Sequence, residues 1–208
     1  MTGLVFATRF EAKPFLALSR AEKTTPEPFE IYHTPLQPRL VITVCGMGKV
    51  AAAAAAQSLL LRHGVTCLVN AGACGALHDT AGFEVEQLLH IVSALEGDHE
   101  VLGKQSLPIV CQHRLKLQLP PARLVTCDRP VFDLRRRSKY AAFADVVDME
   151  GAAIARVAAW HGVTCDLIKG VSDHARPTQR KTLLENLHAV STRISEVLCQ
   201  ALDVNPHA

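Results

Sequence analysis

The chain has 208 residues, 49% apolar and 20% charged, which is the balance of a globular protein able to bury its own core rather than of a disordered one. Lys+Arg total 22 against 20 for Asp+Glu, a net charge of +2, so the basic excess that phosphate backbones demand is missing and nucleic acid is excluded as the main partner. The longest apolar-looking run, Val50 to Leu61, is mostly alanine, carries Gln57 and Ser58, and falls far short of the ~20 residues of a spanning helix.

Arg9, Glu11 and Lys13 interrupt the start of the chain too early for a leader, so no membrane segment is expected. Seven cysteines, an odd number with no C-x-x-C pair, read as reduced thiols of a cytoplasmic protein. At ~150 residues per domain, residues 1–208 are expected to form a single domain.

In chain order, Gly3–Ala7 reads as a buried strand and Lys23–Pro38, with four of the eleven prolines, as an extended surface connection. Arg39–Cys45 is a second strand, ending in Gly46-Met47-Gly48. Lys49–Arg62 is alanine-rich and helical, stopped by Gly64. Thr66–Asn70 is a strand closed by the glycine-rich Ala71–Ala76. Val85–Ser93 holds one or two strands, and Leu107–Val110 and Leu124–Cys127 are shorter ones. Arg135-Arg136-Arg137 reads as a solvated helix face. Asp145–Asp148 is a strand running into a helix from Glu150 to His161, stopped by Gly162; Thr164–Val171 is the last strand. From Thr178 to Leu202, Leu183, Leu184, Leu187, Val190, Ile194, Val197 and Leu198 recur at helical spacing.

Strand–helix alternation implies an α/β class: a three-layer α/β/α sandwich around a twisted, mostly parallel but mixed sheet. Sites in such folds collect at the carboxyl ends of strands. The polar residues expected there are Glu11, Gly46-Met47-Gly48-Lys49, Asn70-Ala71-Gly72, Asp148-Met149-Glu150 and Ser172-Asp173-His174.

Gly46-Met47-Gly48-Lys49-Val50-Ala51 fits the G-x-G-x-x-A dinucleotide fingerprint, but the following strand ends in Asn70 instead of an acid. The same glycines serve equally for close strand-to-helix packing or as the wall of a small-molecule site. Glu150 at a helix start complements the helix dipole, and Ser172 or Asp173 can cap a turn. Together, though, two acids end successive strands and Glu11 follows a third. The ten histidines show no H-E-x-x-H and no regular ligand spacing, so no metal is expected, and no G-x-S-x-G elbow is present.

Five blocks in order resemble the nucleoside phosphorylase/hydrolase superfamily, in particular methylthioadenosine/S-adenosylhomocysteine nucleosidases and futalosine hydrolases. They are A-x-x-x-E (Ala7 to Glu11), G-M-G-K-V-A-A-A (Gly46–Ala53), N-A-G-A-C-G (Asn70–Gly75), V-D-M-E-G-A-A (Val147–Ala153) and V-S-D (Val171–Asp173), with Glu150 and Asp173 standing 23 residues apart. The resemblance implies hydrolysis of the N-ribosidic bond of a 5′-modified adenine nucleoside. Asp173 would protonate the purine N7 and Glu11 would activate water. Glu150 would accept the ribose hydroxyls, with Met149 packed on the sugar. Val131 or Phe132 would lie against the base, and Ala7, Gly72 and Ala73 would complete the substrate pocket. It further implies a homodimer and no cofactor.

Where phosphorylases of the superfamily hold phosphate with an arginine and a serine, this chain aligns Asn70 and Ala73, which favours water over phosphate as nucleophile. Nucleosidases often carry serine at the Ala73 position and glutamate at that of Asp148. Futalosine hydrolases often have asparagine at that of Asp173. An aspartate there can accept from a 6-amino group while donating to N7, which points to adenine rather than hypoxanthine. A phosphorylase or futalosine hydrolase of the same fold, and a non-catalytic purine- or dinucleotide-binding module, are the alternatives.

Overall fold

The computed structural model describes residues 1–26, 28–101, 103–177 and 180–206. In chain order the elements are β1 (Thr2–Phe6), α1 (Arg9–Leu18), β2 (Glu22–Pro26), β3 (Glu30–His33), β4 (Leu40–Val44), α2 (Lys49–His63), β5 (Cys67–Ala76), β6 (Leu88–Glu96), β7 (Glu100–Val101), β8 (Lys104–Gln105), β9 (Ile109–Val110), β10 (Pro121–Thr126), α3 (Leu134–Ala141), β11 (Val146–Asp148), α4 (Gly151–His161), β12 (Thr164–Asp173) and α5 (Arg180–Ala201). Thr178 and Gln179, where the last helix was expected to begin, lie outside the described residues.

Ten strands form one mixed sheet in the order β11-β10-β6-β12-β5-β1-β4-β3-β2, with β9 added beside β6. β1 runs parallel to β4 and β5, and β12 parallel to β5; β6 runs antiparallel to β12. The order of strands also closes on itself. β11 pairs with β10 on one side and, through Val146 and Val147, antiparallel to Ala76 and Gly75 of β5 on the other. Thus β5, β12, β6, β10 and β11 make a ring, and β1, β4, β3 and β2 extend from it as an open sheet.

The ring explains why β5 outruns its expected end at Asn70. Its first half pairs with β1, and its second half, the glycine-rich Ala71–Ala76, pairs with β12 and β11. Small side chains in that half let three strands approach. Lys23–Pro38 likewise differs from the surface connection expected of it: β2 and β3 form an antiparallel hairpin on the open edge of the sheet. A proline at such an edge removes no ladder bond that a neighbouring strand needs.

Side chains alternate across the open sheet, as the period-2 geometry of a strand requires. Val5, Val41 and Leu68 pack with Ala52, Ala55, Ala56 and Leu59 of α2 and with Ile154, Val157 and Ala158 of α4. Leu4, Phe6, Leu40, Ile42 and Val69 pack with Ala12 and Phe15 of α1 and Val190, Ile194 and Leu198 of α5 on the opposite face. Both faces are therefore covered, which is why these strands read as continuous apolar runs. A third, smaller cluster of Val125, Cys127, Val131, Tyr140 and Val147 seats α3 at one end of the ring.

Gly170 of β12 lies directly under α5, where an added Cβ would overlap Val190 Cγ1 and come within 3.0 Å of Leu88 Cδ2. Gly170→Ala should therefore overpack this interface and destabilise the protein by about 1–3 kcal/mol, read as a lower urea midpoint with an unchanged slope.

Candidate active site

Four strand ends and the first turn of α1 face one cavity of about 370 Å³, whose lining includes Ala7, Glu11, Ala73, Val131, Phe132, Met149, Glu150 and Asp173. Gly72 does not line it. Its place is behind Glu11: a Cβ on Gly72 would stand 2.7 Å from Glu11 Oε1. The glycine thus lets the carboxylate approach the β5 backbone, where Oε1 accepts from the Ala73 amide at 3.1 Å.

Glu11 follows β1, as expected, and sits in the first turn of α1, for which the chain carries a local signal. Thr8 and Glu11 form a capping box, with the Thr8 hydroxyl accepting from the Glu11 amide at 3.2 Å and Glu11 Oε2 accepting from the Thr8 amide at 3.0 Å and from its hydroxyl at 2.8 Å. The T-x-x-E spacing of a capping box announces this helix start. Oε2 is thereby held by the helix cap and Oε1 by β5, so the carboxylate is oriented from two sides.

Glu150 lies between β11 and α4. Its Oε1 accepts from the Gly48 amide at 2.8 Å, so the backbone donor that a dinucleotide pyrophosphate would need in this turn is already engaged. Asp173 ends β12. Oδ1 accepts from the Ala175 amide at 2.7 Å and Oδ2 from the Ser172 hydroxyl at 2.8 Å. Asn186 of α5 donates to the Ser172 carbonyl at 2.8 Å, which ties this strand end to the helix above it.

Phe132 is 40% exposed at the cavity mouth, and Val131 is buried beside it. Their segment is fixed from α3, where the Arg136 guanidinium donates to the carbonyls of Arg129 and Pro130 at 3.2 and 3.0 Å. The run Arg135-Arg136-Arg137 is thus only partly a solvated face: Arg137 also pairs with Asp79 at 2.9 Å, its side chain 11% exposed.

The chain matches the phosphorylase superfamily over residues 2–203. It belongs to this superfamily. A 5′-methylthioadenosine/S-adenosylhomocysteine nucleosidase of Arabidopsis thaliana is 48% identical over 63 residues, 29% of this chain and 24% of that protein. Among solved structures, the Helicobacter pylori nucleosidase of the same name superposes with a TM-score of 0.88 at 20% identity, covering 97% of each chain. Helicobacter pylori futalosine hydrolase gives 0.87 at 20% identity, again over 97% of each. The S. pneumoniae nucleosidase, solved with a transition-state inhibitor, gives 0.82 at 20% identity over 98% of each. These likenesses establish the fold that the superfamily shares with the chain.

Lys169 is the residue in this superfamily member that sequence reasoning missed. It sits mid-strand in β12, in register with Gly72, fully buried, and its Nζ pairs with Asp148 Oδ2 at 2.7 Å; both side chains are 1% exposed. Asp148 Oδ1 accepts from the Thr126 hydroxyl at 2.5 Å, and Oδ2 accepts from the Gly151 amide at 2.8 Å. One carboxylate therefore joins β10, β12 and the start of α4. A lysine inside an apolar strand was the available signal, because a buried cation requires an anion.

The charges act on one another. Burial pushes the Lys169 ammonium down, but the carboxylates of Asp148, Glu150 and Glu11 outweigh it and hold the group charged. Burial raises the Glu150 carboxyl and Asp148 adds repulsion, against the pull of Lys169 and the Gly48 amide, so it is pushed up to about 7. Burial also raises the Asp173 carboxyl from its ordinary value, against its two hydrogen bonds.

Two outcomes follow from this electrostatic arrangement. Lys169→Met leaves Asp148 charged and buried without a counter-ion and should lose about 3–5 kcal/mol of stability in urea unfolding; adding Asp148→Asn should recover most of it. Glu150 holds its proton in the folded state up to about pH 7 but loses it near 4.5 when unfolded, so between those values the folded state binds more protons and stability falls as pH rises. Unfolding curves across that window should show this decline in the wild type and a shallower one in Glu150→Gln.

Proposed function

We propose that the chain is a nucleosidase that hydrolyses the N-ribosidic bond of a 5′-modified adenine nucleoside, of the methylthioadenosine, S-adenosylhomocysteine or aminofutalosine type, and releases adenine. One observation carries this reading: Glu11, Glu150 and Asp173, far apart in sequence, line the same cavity. Bond cleavage leaves positive charge on the ribose and negative charge on the purine, so acids are wanted on both sides of the linkage.

Asp173 is the acid. Burial raises its carboxyl, which favours the protonated form that can deliver a proton to N7. Glu11 is the base. Its carboxylate is oriented before substrate arrives by the Thr8 cap and the Ala73 amide, and an attacking water would lie against its remaining lone pairs. Glu150 accepts the ribose hydroxyls once ionised, and Met149 packs on the sugar. Val131 and Phe132 flank the base, and Ala7 and Ala73 bound the ribose.

Water is favoured over phosphate as nucleophile by the charges. Among the described residues that line the cavity none is Arg, Lys or His, whereas Glu11, Asp148, Glu150 and Asp173 all do. The nearest buried cation, Lys169, is already paired with Asp148. Asn70 is turned away, with its side-chain amide donating to the Val5 carbonyl at 3.0 Å. A phosphate dianion would find four acidic side chains and no cation in the lining. The apolar wall of Phe10, Leu183, Leu184 and Leu187 favours, within these types, the methylthioadenosine type, whose 5′ substituent is uncharged.

The proposal includes a homodimer and a cytoplasmic location. Phe10, Met47, Phe132 and Leu184 are 43%, 69%, 40% and 43% exposed around the cavity, an apolar rim that a second copy would cover. All seven cysteines are free and buried, consistent with a reducing compartment, and among the described residues no helix is long and apolar enough to cross a membrane.

Adenine release from a panel of 5′-substituted adenosines, with and without phosphate, tests the reading. Turnover should be independent of phosphate, and Asp173→Asn and Glu11→Gln should each lose at least ~100-fold in kcat. Strict phosphate dependence would make the chain a phosphorylase, and tight binding without base release would make it a binding module.

A further inference from the structure

The turn Gly46-Met47-Gly48 presents its Gly48 amide to Glu150 and its Met47 side chain to the cavity, yet it carries little restraint of its own. Gly46 and Gly48 have φ of +92° and +97°, and no side chain caps the helix that follows. The next residue, Lys49, opens α2 with a positive charge, the wrong sign for a helix N-terminus. We infer, resting on the nucleosidase reading, that Lys49 is a positioning residue for substrate binding. It clamps this turn to the loops that follow β6 and β10, and so holds the ribose contact of Glu150 and the base wall of Val131 and Phe132 in one arrangement.

Three carboxylates surround the ammonium. Asp98 Oδ1 lies 2.7 Å from Lys49 Nζ, Asp128 Oδ2 3.3 Å and Glu96 Oε2 3.7 Å, and the lysine side chain is only 13% exposed. An ammonium has three protons and no acceptor, so it can face all three. Glu96 is the last residue of β6, Asp98 lies two residues beyond it, and Asp128 lies two beyond β10. The two loops are tied to each other as well. Asp98 Oδ2 accepts from the Asp128 amide at 2.6 Å, and the Thr126 carbonyl accepts from the Gly97 amide at 2.9 Å. One cation thus joins three segments that leave separate strands.

Two of these segments lead directly to walls of the cavity. Lys49 follows Gly48, whose amide donates to Glu150 Oε1 at 2.8 Å. Asp128 opens the stretch that carries Val131 and Phe132, whose carbonyls at Arg129 and Pro130 are held from α3. Asp98 joins the two. Lys49 itself does not line the cavity, so it acts through these neighbours.

The local charges say what its loss does. Arg156 of α4 reaches Glu96 Oε1 at 3.5 Å, but among the described residues no cation other than Lys49 pairs with Asp98 or Asp128. Burial raises the Asp98 carboxyl, but the Lys49 ammonium and the Asp128 amide outweigh it and hold the group below its ordinary value. Without Lys49 the two aspartates repel each other across the junction. Asp128, 61% exposed, is the partner with most room to move, and the base wall follows it in the chain.

The test combines steady-state adenine release from the best substrate of the adenosine panel with NMR-detected exchange of the Gly48 amide, in full-length wild type, Lys49→Met, Lys49→Arg and Asp98→Asn. Lys49→Met should raise KM at least ~10-fold with kcat within ~3-fold of wild type, because contacts made equally to ground and transition state are lost. Its Gly48 amide should exchange at least ~10-fold faster, as the contact to Glu150 opens locally. Lys49→Arg keeps the charge and should restore both values. Asp98→Asn removes the nearest partner charge and should shift both in the direction of Lys49→Met, which also covers a Lys49→Met chain that fails to fold. An unchanged KM, a loss confined to kcat, or an arginine variant as impaired as the methionine variant would each overturn the assignment. Wild type that releases no adenine would instead sink the nucleosidase reading; the Gly48 exchange rate then decides the clamp alone, and no acceleration overturns it.

Discussion

The buried pair of Lys169 and Asp148 is the interaction on which the cavity depends. Four carboxylates border a space of about 370 Å³, and the pair supplies the compensating positive charge from directly behind it. Two charges a few ångströms apart interact by about 4 kcal/mol at an effective dielectric of 20, so a cation beside this cluster of acids matters to its stability. Lys169 pairs directly with Asp148 and reaches Glu150 and Glu11 only through space. The acids are thereby graded. Asp148 is held in the ion pair, while Glu150 and Asp173 are left with raised affinities for protons.

The ring of strands is what makes this grading possible. An open parallel sheet delivers its strand ends along a line. Here β11 bends back onto the end of β5, so Asp148, Gly75 and Asp173 come from strands that surround a common axis. The small residues of β5 are the geometric condition for that closure. Gly72 admits Glu11 on one side, and Gly75 leaves 3.0 Å between an imagined Cβ and Asp173 Oδ1 on the other. The glycine-rich stretch that looked like a loop following a strand is the part of the strand where close approach matters most.

What the sequence made legible followed from local rules. The alanine helix α2, the stops at Gly64 and Gly162, the apolar rows of β1, β4 and β12, and the spacing of α5 are all set by residues near one another in the chain. What escaped was set by distant partners. The β2–β3 hairpin forms because β4 offers an edge, despite the prolines that argue for a loose connection. The continuation of β5 past Asn70 needs β11 and β12. Nothing near Lys169 in the chain marks its role, since its partner Asp148 lies 21 residues earlier. Thr8 and Glu11 carry the spacing of a capping box, a local signal that coexists with the acid's place in the cavity.

That double use of Glu11 bears on the role of base proposed for it. A glutamate reaching into a cavity on a free side chain would lose rotamer entropy each time it engaged water. Here Oε2 has already been immobilised by the Thr8 amide and hydroxyl, as part of the same contacts that begin α1, and Oε1 by the Ala73 amide. Helix formation and orientation of the carboxylate are then one event. The absence of a side-chain hydroxyl at Ala73 matters less than composition suggests, because it is the backbone at that position that meets Glu11. A serine there would add a donor beside a carboxylate that is already held from both sides, whereas a phosphate would have to displace those contacts and sit against the acids. The geometry therefore makes the alanine compatible with a water-using site and ill suited to an anion-using one.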